Sequence, residues 1–311
     1  MNKIFYLLIA ISILSACDDE VNIPLADTDP YLNVDAWLTN TPDTQRIILN
    51  YTRSYFDNGA PTPVLNANVV VSELQGDNLV NPLVFTDVDN NGIYEWVPPA
   101  GQSFGTIGTT YILTIEALGT TYNSFSTMPD VPVIDSITFE YNKKDAFIDE
   151  DWYYGEFWSR DLDGPGNTYW IKAFKNGDFL RNPEDISVAY DAGFSAGGAV
   201  DSLIFIQPIR TSINSFGNTE EFVSPYTFGD TCRVELHGIS NEAWFFLIRV
   251  ADETVRNPGF AQLFANPLAN SPTNIYPIDE TVPVVGFFSV ASVSSLEVVM
   301  SDSTVVDLVP D

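Results

Sequence analysis

From Tyr31 onward the chain is built of short β-rich runs cut by turn residues, and this rhythm limits the fold more than any other feature. Tyr31–Trp37, Arg46–Tyr51, Ala67–Leu74, Leu83–Thr86, Tyr111–Ala117 and Thr121–Ser126 join β-branched and aromatic residues to apolar/polar alternation, the pattern of strands. Between them stand Asp57-Asn58-Gly59, Gly76-Asp77-Asn78, Asn90-Asn91-Gly92 and Gly119, which supply the backbone conformations tight turns need. Strands at this spacing predict an antiparallel sandwich.

Met128-Pro129-Asp130-Val131-Pro132 interrupts the rhythm, because proline cannot donate to a ladder and stiffens a connector. The break separates a β-sandwich module over residues 31–128 from a second, mostly antiparallel β domain over 133–311. In the second, strands are predicted at Ser136–Tyr141, Tyr153–Ser159, Thr168–Phe174, Ser202–Gln207, Arg233–His237, Val284–Ala291 and Leu296–Met300. Gly193–Gly198 and Asn266–Asp279 read as long loops rich in Gly, Pro and Asn. One segment has a different period. Trp244, Leu247, Ile248, Ala251 and Val255 fall on one helical stripe, Ser240 can cap its start and Asn257-Pro258-Gly259 ends it, so a single substantial helix is expected over Asn241–Arg256.

The front of the chain reads as an address. Lys3, the apolar run Ile4–Leu14 and Leu14-Ser15-Ala16-Cys17 have the layout of a lipoprotein signal peptide over residues 1–16, with Cys17 as the lipidation site. A diacylglycerol thioether plus a palmitate-type acyl chain on the freed amine would give the two signals that stable anchoring needs. Residues 17–30, acidic and carrying Pro24 and Pro30, form a flexible tether. No later stretch approaches the length of a membrane span. Net charge is −29, and −30 once Lys3 is removed, which excludes nucleic acid as a partner. With Cys17 lipidated, Cys232 has no intramolecular partner and reads as a small buried hydrophobe.

Several blocks together resemble a known family. Tyr31-Leu32-Asn33-Val34-Asp35-Ala36-Trp37-Leu38-Thr39, Pro63–Val71, Asn91-Gly92-Ile93-Tyr94, Thr110–Ile115, Asp161–Trp170, Asn274-Ile275 and Gly286-Phe287-Phe288-Ser289, behind a lipobox, resemble the Bacteroidota lipoproteins of domain-of-unknown-function family 4249. The resemblance implies an Ig-like, transthyretin-like or carboxypeptidase-regulatory-like sandwich followed by a second β domain. It further implies an outer-membrane lipoprotein, often beside a TonB-dependent transporter, and it turns Asp18-Asp19-Glu20 into a surface-export signal. The family carries no catalytic residues to transfer.

Candidate sites are few. Asp87, Asp89 and Asn91 match the opening of a calcium loop, but Pro98 stands where its closing Glu belongs and the flanks Val84–Thr86 and Ile93–Trp96 read as a hairpin, so an Asn-Gly turn is the simpler reading. Asp161 and Asp163, with Asn167, form a second acidic loop that could converge on calcium, a structural turn being the simpler reading. His237 is the only histidine and no nucleophile elbow is present, which argues against Ser-His or zinc catalysis and for a non-enzymatic protein. Trp152, Trp158 and Trp170 are the candidates for stacking on a glycan, peptide or chelate ligand. The expected role is an accessory or ligand-binding partner of a TonB-dependent barrel. The alternatives are a surface hydrolase using a carboxylate pair and a purely structural interaction module.

Overall fold

The computed structural model describes residues 29–54, 57, 59–143, 151–215, 224–255 and 271–306. Cys17, Asp18, Asp19 and Glu20 lie outside these residues, as do 256–270, which include the start of the loop expected at Asn266. The first half of the chain supplies β1 (Leu32–Thr39), β2 (Gln45–Tyr51), β3 (Asn68–Gln75), β4 (Asn78–Phe85), β5 (Ile93–Trp96), β6 (Thr110–Ala117) and β7 (Thr120–Thr127). The second supplies β8 (Ile134–Asn142), β9 (Trp152–Ser159), β10 (Thr168–Lys175), β11 (Asp178–Phe179), β12 (Ser187–Tyr190), the helical turn α1 (Gln207–Arg210), β13 (Thr231–Ile239), the helix α2 (Asn241–Thr254), β14 (Tyr276–Pro277), β15 (Val284–Val299) and β16 (Val305–Val306).

These strands form an eight-stranded sheet in the order β11-β10-β13-β15-β1-β2-β5 with β12 also on β10, a five-stranded sheet β14-β7-β6-β3-β4, and a three-stranded sheet β16-β8-β9. The protein is mainly β, largely antiparallel, with one substantial helix. Where two strands were expected near the C-terminus there is one. β15 runs for 16 residues, pairs in parallel with β1 through Val284–Ala291, and then pairs antiparallel with β13 through Ser292–Val299. Gly286, at φ +102°, lets the backbones of β15 and β1 approach, since a Cβ there would strike the carbonyl of Val34. A late segment thereby completes the sheet that the first strands begin.

Alternation decides which side chains enter which core. In β1, Leu32, Val34, Ala36 and Leu38 point into a core shared with Val69, Val71, Leu113, Ile115 and Tyr122 of the five-stranded sheet, and with Phe288 and Val290 of β15. Each such fully buried Val, Leu or Ile contributes about 1.5–3 kcal/mol. A second core joins Ile137, Phe139 and Phe157 of the β8–β9 hairpin to Tyr169, Ile171, Val234 and Leu236, and Cys232 is buried there as expected of a small hydrophobe. Burial pushes the Cys232 thiol up to about 11.

Three expectations are corrected. Ser202–Gln207 is not a strand: Ser202 has φ 59°, and Gln207 opens α1 instead, with Pro208 in its first turn, where a missing N–H costs no helical bond. Val84–Thr86 and Ile93–Trp96 do not form a hairpin. β4 and β5 lie in different sheets, joined only by the bridge Thr86–Glu95, because β5 finds its partner in β2. The helix α2 starts where expected, Ser240 Oγ accepting from Ala243 N at 3.2 Å, but its buried stripe is turned toward Ala243, Phe246 and Leu247, leaving Val255 exposed.

Candidate functional site

Strand β9 carries aromatic rings on both faces, and the two faces have different fates. Gly155, Phe157 and Ser159 turn into the second core, whereas Trp152, Tyr154, Glu156 and Trp158 alternate to the other side. On that outer face they stand opposite Asn142, Glu140, Thr138 and Ser136 of β8. Among the described residues no third layer of sheet covers them. α1 lies along the flank instead, and a groove of about 450 Å³ opens between it and the hairpin, with Trp158 and Glu156 in the floor, Arg210 and Gln207 on one wall and Ser136, Thr138 and Glu140 on the other.

Every fixed group in this groove is held by another. Arg210 Nε and Nη2 lie 2.8 and 2.7 Å from Glu156 Oε1, and Nη1 donates to the carbonyl of Phe205. The same guanidinium sits 4.3 Å from the centroid of Trp158, a cation–π contact. Trp158 Nε1 donates to Thr138 Oγ1 at 2.9 Å. Gln207 Nε2 reaches the Tyr154 hydroxyl at 3.4 Å, and that hydroxyl also bonds Glu140; burial first, and then Glu140, raise its pKa. Trp152 and Tyr154 extend the aromatic surface along the strand, ring centroids 5.4 Å apart. The arrangement presents rigid rings and hydroxyl-bonding groups.

Trp170 lies elsewhere, so the three tryptophans do not share a site. It sits on the outer face of the eight-stranded sheet beside α2, packed edge-on to Trp37 at 5.2 Å, with Phe246 and Phe287 next to them. Lys172 Nζ lies 3.8 Å from the Trp170 ring, and burial brings its pKa down to about 8. His237, 3% exposed, bonds Glu235 through Nε2 at 3.1 Å; burial, and secondarily Lys172, hold it down to about 4, so it is neutral at pH 7. Burial works to raise Glu235, but His237, Arg233 and Lys172 outweigh it and keep the carboxyl below its usual range. His237 is thus a buried hydrogen-bonding residue of β13.

The acidic loops also separate. Asp87 accepts from the N–H groups of Asn91 and Gly92, and Asn91 Oδ1 accepts from Ile93 N, so this carboxylate and this amide brace a turn; Asp89 is exposed at the tip. Asp163 is exposed and apart from Asp161. Asp161 instead meets Asp191 and Asp201, the three offering oxygens within 4.8 Å of one another. Asp161 accepts from Tyr169 OH at 2.6 Å and Ser202 N at 3.2 Å, while Asp191 accepts from Gly166 N and Asn167 N. Burial chiefly, with repulsion from Asp191 and Asp201, raises the Asp161 pKa. Three carboxylates so placed are of a kind that takes a hard cation.

Sequence reading missed Arg210, Lys172, Asp191 and Asp201. Each is brought to its place by contacts remote in sequence, and only Arg210 carried a local hint, as a cation close after a proline-led turn. Against known proteins, a family model described as Domain of unknown function (DUF4249) matches residues 18–297. None of the curated proteins matches the chain.

Proposed function

The chain belongs to the DUF4249 family, and we propose that this member is a lipid-anchored, surface-exposed outer-membrane protein of the Bacteroidota type that binds a ligand without transforming it, as an accessory of a TonB-dependent transporter. Leu14-Ser15-Ala16-Cys17 and Asp18-Asp19-Glu20 support the anchor and the outward address. The β-rich first module, with strands from two sheets around one core, suits the Ig-like, transthyretin-like class.

The observation that carries the binding role is the groove on the outer face of β8 and β9. Its ring, Trp158, is pinned before any ligand arrives, which lowers the entropy lost on binding. Its buried carboxylate, Glu156, is committed to Arg210, which speaks against a carboxylate pair for hydrolysis there. The crowded Asp161, Asp191 and Asp201 are the other place a hydrolase could draw on, but there Asp161 is already bonded by Tyr169 and Ser202, and one oxygen of Asp191 by Gly166 and Asn167.

Two measurements test the proposal. Detergent-solubilised membranes should yield this protein together with a barrel protein, and recovery of the chain alone under mild conditions would overturn the accessory role. Cys17→Ser should leave the fold intact and abolish membrane attachment, and replacing Asp18, Asp19 and Glu20 by Ala should keep the lipid but protect the protein from protease added to cells.

A further inference from the structure

We infer that the β8–β9 groove selects an uncharged, polyhydroxylated ligand, a neutral oligosaccharide, over anionic sugars, peptides and metal chelates; the inference rests on the binding role proposed above. Four observations converge on that class.

The first is the aromatic strip. Trp152, Tyr154 and Trp158 alternate onto one face of a single strand. Trp158 lines the groove with the part of its ring that Arg210 does not cover, an apolar surface for the C–H face of a sugar ring, and Trp152 and Tyr154 continue the same face beyond the groove. The second is the state of the cation. Arg210 would be the natural grip for a phosphate, sulfate or carboxylate, yet Glu156 and the Phe205 carbonyl engage its Nε and both terminal nitrogens, and Trp158 covers its face. An anion would have to displace Glu156, leaving a mostly buried carboxylate uncompensated.

Charge gives the third observation. Glu140 and Glu156 outnumber Arg210 along the groove, and the whole chain stands at −29, so anionic ligands meet repulsion both near and far. A carboxylate-rich chelate is disfavoured for the same reason. Sugar hydroxyls are not: Glu140 can accept from them, and Ser136 and Gln207 can both donate and accept. The fourth observation concerns peptides. An extended peptide gains most by adding a strand to a free sheet edge, but the free edge of β9 is already taken. Asn214 mimics a partner strand, accepting from Gly155 N at 2.7 Å and donating to Gly155 O at 2.8 Å, while Tyr226 N and Phe205 N bond Tyr153 O and Ser159 O.

The test is titration calorimetry on the full mature chain in detergent, with cellohexaose, laminarihexaose, maltohexaose and mannohexaose as neutral probes. Heparin hexasaccharide, hexagalacturonate, an extended hexapeptide and ferric citrate serve as the contrasting set. At least one neutral probe should bind, with affinity unchanged by salt because no charge pair forms. Trp158→Ala should weaken it about tenfold or more, the equivalent of about 1.4 kcal/mol. Tyr154→Phe, which keeps the ring and the fold and removes one hydroxyl, should weaken it several-fold. Neutral binding indifferent to both variants would overturn the site. Salt-sensitive binding of an anionic probe, or peptide or chelate binding lost in Trp158→Ala, would overturn the ligand class while leaving the binding role standing. Failure of every probe in both sets would bring down the binding role itself.

Discussion

Trp158 and Trp170 each carry a cation on their ring, and the two pairs behave in opposite ways. At the β8–β9 groove, Arg210 lies over Trp158 with a carboxylate partner at 2.7 Å, at the edge of solvent. Under α2, Lys172 lies over Trp170, among aromatic side chains, with carboxylates near it but its ammonium partly desolvated, and its pKa falls to about 8. A guanidinium can stack and hydrogen-bond in its plane at once, whereas an ammonium must spend its donors in whatever direction the cavity allows. The first pair is therefore settled and can serve recognition, while the second is a buried polar network whose main effect is on stability.

The largest expected effect tests the buried member. Trp170→Ala should cost about 3–5 kcal/mol by denaturant unfolding, since it empties the aromatic cluster against Trp37; a loss below 1 kcal/mol would erase the distinction drawn between the pairs. Next comes pH. His237 holds a proton in the unfolded chain below about 6.5 but in the fold only below about 4. Stability should therefore fall as pH drops from 6.5 to 4, by up to about 3 kcal/mol, and His237→Gln should flatten that limb of the profile. Arg210→Ala should cost about 2 kcal/mol, mostly from the carboxylate left behind at Glu156, less than for a fully buried pair because both side chains keep some solvent contact. The smallest effect is expected at Asp161, Asp191 and Asp201. Millimolar calcium should shift the thermal midpoint little, because backbone and hydroxyl donors already neutralise the crowding; a rise of several degrees would show that carboxylate count outweighs satisfaction.

What could be read from sequence was local. Alternation in β1, β6 and β10 announced both strand and buried face, and Ser240 announced the start of α2 to the residue. What could not be read was pairing. Nothing in Val284–Val299 says that its first half will lie parallel to residues some 250 positions earlier, and Ser202–Gln207 looked like a strand until a left-handed Ser202 and Pro208 bent it. The site followed the same rule. Trp158 was legible because an outward ring on an alternating strand is visible in one dimension. Arg210 was not, since its value lies in Glu156, 54 residues away.

The shared strand has a mechanical consequence. β1 is flanked by β2 on one side and by β15 on the other, and its register with β15 runs unbroken from Leu32 to Thr39. A pull on the N-terminal end of the fold acts along the axis of β1, so both ladders are loaded in shear and their bonds must yield together, not one after another as in a peeled edge. β15 then carries the load, over roughly 50 Å of continuous backbone, into the sheet at β13. Tension applied at the N-terminal end of the fold would thus reach the β13 side of the sheet along β15, without passing through a loop.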